Sequence, residues 1–130
     1  MEKNSKKVLI IEDEPALVKI ISEKLSYAGF NPVVAMDGEE GIEKALAERP
    51  DLIILDLVLP KKDGLIVMKN LRENEWGKTV PIIILTNLSA DSRITARVIK
   101  DEPSYYLTKT DWPLDDVIQK VKEAIGDGKK

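Results

Sequence analysis

The chain has 130 residues, 43% hydrophobic and 33% charged, which suits one soluble globular domain with a single core and leaves no room for a second full domain. Twenty Lys and Arg against 23 Asp and Glu leave a net charge of -3, so no basic excess points to nucleic acid or to an anionic membrane. With no Cys and no His, the sequence excludes disulfides, thiolate or imidazole metal sites, Ser-His-Asp and Cys-His catalytic sets, and a phosphohistidine on the chain itself.

Residues 1–7 are polar, and the apolar run that follows is far too short for a signal-peptide core. No stretch approaches the roughly 20 apolar residues of a spanning helix. A cytoplasmic protein is expected, with residues 1–5 and 127–130 as loose tails around a domain at 6–126. Lys7–Ile11 predicts a first strand. A helix follows with Leu17, Ile20, Ile21, Leu25 and Ala28 on its buried face, stopping at Gly29. Asn31–Ala35 reads as a second strand and Gly38–Glu48 as a second helix with Ile42, Ala45 and Leu46 inward. Residues 51–57 predict a third strand, and a third helix after Asp63 and Gly64 carries Val67, Met68 and Leu71. Residues 80–85 predict a fourth strand, 91–99 a weaker fourth helix rich in Arg and Thr, and Tyr105–Thr108 a fifth strand. The last helix is the clearest: Leu114, Val117, Ile118, Val121 and Ile125 keep a helical period, Pro113 suits its first turn, and Asp115 and Asp116 sit at the positive end of its dipole.

Strand and helix alternate throughout, and runs such as Leu52-Ile53-Ile54-Leu55 and Ile82-Ile83-Ile84-Leu85 are apolar on both faces. Such strands must be covered on both sides, which predicts an α/β fold with a doubly wound parallel sheet. Functional groups then gather beyond the carboxyl ends of the strands. Those ends hold Glu12 and Asp13, Asp56, Thr86 and Lys109. Three carboxylates brought together repel one another and call for a cation. An all-oxygen donor set without His or Cys favours a hard ion, and so few carboxylates, completed by waters and a phosphoryl oxygen, suit Mg²⁺, with Mn²⁺ able to substitute. Lys109 can neutralise a transferred phosphoryl group and Thr86 can donate a hydrogen bond to it, so the set suits phosphoryl transfer to Asp56.

The segments Val8-Leu9-Ile10-Ile11-Glu12-Asp13-Glu14, Asp56-Leu57-Val58-Leu59-Pro60-Lys61-Lys62-Asp63-Gly64, Leu85-Thr86 and Tyr106-Leu107-Thr108-Lys109, in this order, resemble the CheY-like receiver domains of two-component response regulators. The resemblance spans nearly the whole chain. It implies the flavodoxin-like (βα)5 three-layer sandwich with strand order 2-1-3-4-5. It further implies that Asp56 accepts a phosphoryl group from a phosphohistidine of a sensor histidine kinase or a histidine phosphotransfer protein. Asp13 and Asp56 would ligate Mg²⁺ directly, Glu12 directly or through water, and Val58 through its backbone carbonyl. Thr86 and Lys109 would hold the phosphoryl oxygens. Movement of Thr86 would be coupled to rotation of Tyr106, remodelling the face of the fourth helix, fifth strand and fifth helix where a downstream protein binds. On this reading the protein is no enzyme toward external substrates and catalyses only its own phosphorylation and dephosphorylation. No feature calls for a dimer, since Arg93 and Arg97 read as a solvated helical face.

Four positions depart from the family pattern. Glu12-Asp13 stands where Asp-Asp is commoner, Thr110 follows Lys109 where Pro is usual, Asn87 follows Thr86 where a small residue is typical, and residues 100–104 replace a Gly-Ala-Asp turn. Without Pro, a cis bond after Lys109 costs about 2.5–4 kcal/mol. Val58 and Leu88 offer no side chain to orient a hydrolytic water, so slow loss of the phosphoryl group is expected. The main competing reading is a receiver-like interaction module that is never phosphorylated. A haloacid-dehalogenase-type phosphatase would need an Asp where Val58 stands, and a flavodoxin-type cofactor carrier would not place Glu12, Asp13 and Glu14 against a phosphate.

Overall fold

The computed structural model describes residues 5–87, 103, 105–109 and 112–126. Its elements are β1 (Lys7–Ile11), α1 (Pro15–Tyr27), β2 (Asn31–Ala35), α2 (Gly38–Glu48), β3 (Leu52–Leu55), α3 (Gly64–Glu73), a 3₁₀ turn (Trp76–Lys78), β4 (Ile82–Thr86), β5 (Tyr105–Thr108) and a C-terminal helix (Leu114–Ile125). The helix expected at 91–99, with Arg93 and Arg97, lies outside the described residues, as do Leu88, Thr110 and residues 100–102 and 104. All strand pairs are parallel and the order is β2-β1-β3-β4-β5, the doubly wound order expected.

The alternation of side chains along each strand splits the core in two. Leu9, Ile11, Ile53, Leu55, Ile82 and Ile84 point to one face, where Ala45 of α2 and Val67, Met68 and Leu71 of α3 cover them. Val8, Ile10, Leu52, Ile54, Ile83, Leu85 and Leu107 point to the other, against Ile21 and Leu25 of α1 and Val117, Ile118 and Val121 of the C-terminal helix. Each such aliphatic side chain contributes about 1.5–3 kcal/mol on burial. Both faces are therefore held by apolar contact, and polar groups are left to the strand ends.

Two strands differ from their expected spans. β3 is shorter at both ends: it begins at Leu52, and beyond Leu55 the Asp56 N–H still bonds to the Ile11 carbonyl of β1 before the Leu57 carbonyl turns to the Gly64 N–H. β4 starts at Ile82, since Pro81 has no N–H for the ladder, and it runs on to include Thr86, which pairs with Thr108. Two residues expected on buried helix faces are instead exposed: Ile20 by 42% and Leu46 by 40%. The inward stripe of α1 runs through Val18, Ile21 and Leu25, and that of α2 is built from Gly38, Gly41 and Ala45, small residues that seat the helix close to the sheet. Tyr105 and Tyr106 each pack against a different face, because the sheet is covered on both sides.

The starts of α2 and α3 are capped by carboxylates. Asp37 accepts from the Glu40 N–H at 2.8 Å, and Glu40 in return accepts from the Met36 N–H at 2.7 Å. Asp63 accepts from the Ile66 N–H at 3.0 Å. At the amino-terminal edge of the sheet, the Lys6 ammonium donates to the Ile125 carbonyl at 2.6 Å and the Lys6 carbonyl accepts from the Asn31 N–H at 2.8 Å. No helix among the described residues is long and apolar enough to cross a membrane.

Candidate functional site

Among the described residues, the buried polar or charged side chains are Glu12, Asp56 and Thr86, and all three stand at the carboxyl edge of the sheet. The ladder itself puts them there. The Glu12 N–H donates to the Ala35 carbonyl at 3.0 Å, the Asp56 N–H to the Ile11 carbonyl at 3.1 Å, and the Lys109 N–H to the Thr86 carbonyl at 2.8 Å. Each bond extends a parallel pairing by one residue, so the backbone of every one of these groups is fixed before its side chain enters the cleft.

The cleft holds about 500 Å³ and is lined by Glu12, Asp13, Glu14, Pro15, Asp56, Val58, Asn87 and Lys109. One carboxylate oxygen from each of Glu12, Asp13 and Asp56 lies within 4.8 Å of the others, with Glu12 and Asp56 buried and Asp13 exposed. Lys109 reaches in from the far side: its ammonium is 2.9 Å from Asp56 Oδ2, 2.9 Å from Glu12 Oε1 and 3.7 Å from Glu14 Oε1. Asp56 Oδ1 accepts from the Val58 N–H at 3.1 Å, which orients the carboxylate along the turn after β3. Glu12 Oε2 accepts from the Glu14 N–H at 3.2 Å.

Burial pushes the Glu12 carboxyl up to about 7; the hydrogen bond from Lys109 opposes this, the charge of Asp56 adds to it, and the balance favours the protonated form. Burial lowers the tendency of Lys109 to hold its proton, but its hydrogen bonds to Asp56 and Glu12, with their charges, outweigh burial and raise its pKa. One ammonium thus faces three carboxyl groups that it could not neutralise alone were all of them ionised. The donor set is all oxygen, anionic and open on the Asp13 side, which fits a hard divalent cation.

The structure brings together Glu12, Asp13, Asp56 and Lys109, with Val58 on the rim. Thr86 ends β4 beside them, fully buried. Tyr106 is half-buried against the core on the α2 and α3 side, the face of the sheet that also carries Thr86 and Thr108. Sequence reasoning did not find the approach of Glu14 to Lys109, nor the two glycine contacts that seat the turn after β3, Gly38 against the Lys62 backbone and Gly64 against Asp56 and Leu57. Gly64 donates its N–H to the Leu57 carbonyl at 2.9 Å, and a Cβ on it would lie 2.5 Å from the Asp56 carbonyl oxygen. The pairing of Asp63 with Gly64 was the visible signal for that contact; Gly38 had none.

The model of the response regulator receiver domain family matches residues 8–122. The chain belongs to this family, the receiving module of two-component phosphorelays. It is 43% identical over 82 residues to the alkaline phosphatase synthesis transcriptional regulatory protein PhoP of Bacillus subtilis, a match covering 63% of this chain and 33% of PhoP, so the shared segment is about a third of that relative. Among solved structures, it is similar to the receiver domain of a sensor histidine kinase of Pseudomonas aeruginosa, with a magnesium ion coordinated in its active site cleft (TM-score 0.83, 27% identity, 95% of this chain and 99% of that one). It is also similar to the chemotaxis protein CheY4 of Vibrio cholerae (TM-score 0.84, 25% identity, 93% and 99% covered).

Proposed function

We propose that Asp56 is the phosphoacceptor of this receiver, and the observation that carries this is the buried Asp56 carboxylate held between the Val58 N–H and the Lys109 ammonium at the edge of the acidic cleft. A carboxylate oxygen of Asp56 attacks the phosphorus of a phosphohistidine on a sensor histidine kinase or a histidine phosphotransfer protein. The new P–O bond forms as the P–N bond breaks, and the imidazole leaves with the bonding electron pair. Lys109 balances the charge of the phosphoryl oxygens, and Thr86 donates its hydroxyl to one of them. Glu12, Asp13 and Asp56 through carboxylate oxygens, and Val58 through its backbone carbonyl, are the groups that would hold Mg²⁺ or a substituting Mn²⁺, which when bound supplies positive charge opposite the acceptor carboxylate and the transferred group. Hydrolysis reverses the modification: water attacks phosphorus, the acyl phosphate P–O bond breaks, and the Asp56 carboxylate returns with inorganic phosphate. The chain catalyses these two steps on itself.

Thr86 and Tyr106 share one face of the sheet, and this supports a switch in which Thr86 follows the phosphoryl group and Tyr106 turns inward behind it. The surface beside β5 and the C-terminal helix then presents a changed face to a protein target, in the cytoplasm. Intact mass after incubation with a small-molecule phosphodonor tests the reading. One phosphoryl group is expected on the parent with Mg²⁺, none without it, and none on Asp56→Asn. Failure with that donor and with a phosphorylated histidine-bearing protein would overturn it in favour of an unphosphorylated interaction module.

A further inference from the structure

The turn after β3, residues 57–63, carries Val58 into the cleft, and its far side rests on the first residues of α2. The Gly38 N–H donates to the Pro60 carbonyl at 3.3 Å. A Cβ on Gly38 would lie 1.8 Å from the Lys62 carbonyl oxygen and 2.6 Å from its carbonyl carbon. Both are backbone atoms, so no side-chain rotation makes room. Between these contacts Lys61 adopts φ 68, a left-handed conformation uncommon for a residue with a Cβ, and its ammonium lies 3.8 Å from Asp37 Oδ2. At the other end, Gly64 allows a close approach to Asp56 and Leu57, where a Cβ would lie 2.5 Å from the Asp56 carbonyl oxygen and from the Leu57 Cα. The turn is therefore gripped between two glycines, and the Val58 N–H inside the grip donates to Asp56 Oδ1.

We infer that Gly38 is a positioning residue for the phosphoacceptor turn: by letting α2 seat directly on the Lys62 backbone, it sets where Val58 stands relative to Asp56. This rests on the roles proposed above for Asp56 and Val58. A side chain at 38 pushes residues 60–62 outward, and the shift passes along the chain in both directions: back through Leu59 to Val58, and forward through Asp63 to Gly64, which packs on Asp56 and Leu57.

The test compares Gly38→Ala with Gly77→Ala. A Cβ on Gly77 would lie 1.9 Å from the Leu71 carbonyl oxygen, a similar intrusion beyond the far end of α3. Both variants are expected to unfold at lower temperature than the parent. In metal-free amide NMR spectra, only Gly38→Ala should move the Val58 and Asp56 signals. In calorimetric titration with MgCl₂, only Gly38→Ala should weaken binding, by tenfold or more. Unmoved Val58 and Asp56 signals in Gly38→Ala, or equal movement in both variants, would overturn the inference. If Gly38→Ala does not fold, Asp37→Ala, which loosens the same junction without intrusion, decides it by the same two amide signals. A parent that neither binds Mg²⁺ nor takes a phosphoryl group would instead overturn the proposed function, and the metal-free spectra would still decide the role of Gly38.

Discussion

The Lys109 ammonium stands 2.9 Å from Glu12 Oε1, across the cleft from the strand that carries it. The same ammonium is 2.9 Å from Asp56 Oδ2, so one cation serves two buried carboxylates. Replacing it leaves each with a backbone N–H, from Val58 or Glu14, and no positive charge, at a cost that grows as they ionise. Lys109→Met should lose about 1–3 kcal/mol at pH 8 in the absence of divalent cations, and less at pH 5. Urea unfolding at the two pH values checks this; a loss independent of pH would mean that packing of the lysine stem matters more than its charge.

Glu12 itself should tilt the stability of the metal-free protein with pH. Unfolded, it ionises near 4.5; folded, near 7, because burial resists the charge. Between those values the folded state holds the extra proton, so stability falls as pH rises through that window. Glu12→Gln removes this slope, and its stability relative to the parent should improve from pH 4.5 to pH 7 with EDTA present. A parent and variant whose unfolding curves shift in parallel across that range would contradict the assignment.

The start of α2 offers a test of local structure. Asp37→Ala removes the cap on the Glu40 N–H and should cost about 1 kcal/mol. Glu40 accepts from the Met36 N–H and pairs with Lys44, which holds its pKa below the usual value. Its contribution is therefore present above pH 4.5 and lost as pH falls through the lowered pKa. Glu40→Gln should narrow the stability gap to the parent in acid, read by thermal unfolding at pH 7 and pH 3.

Val58 is 57% exposed at the mouth of the cleft and offers no polar atom beyond its backbone. Nothing in that side chain can hold a water in line with the phosphorus. Val58→Asn should shorten the lifetime of the phosphorylated protein several-fold, followed by intact mass after removal of the donor. An unchanged lifetime would place control of hydrolysis elsewhere around the cleft.

The alternation of strands and helices and the identity of the cleft residues were legible because hydrophobic runs and charged punctuation alternate so sharply, whereas the order of the strands came only with the resemblance to receiver domains. Asp56 after four buried aliphatics and Lys109 after Tyr105–Thr108 could be placed at strand ends without coordinates. What escaped was set by backbone proximity between segments distant in sequence. Ile20 and Leu46 keep a helical period yet face solvent, since the sheet needs only a narrow stripe from each helix. Pro81 shows why β4 begins late, but only once its partner β3 is known. The contact of Gly38 with Lys62 joins residues 24 positions apart, and no local pattern announces it.

The bond from Lys6 to the Ile125 carbonyl ties the chain's entry into the sheet to its departure from the last helix. Both lie at the edge opposite the cleft. A module whose two attachment points are neighbours on its blind side can be spliced into longer polypeptides, at either end or in the middle, with its mouth left clear. Such plumbing lets one signalling cassette be rewired to many outputs while its chemistry stays untouched.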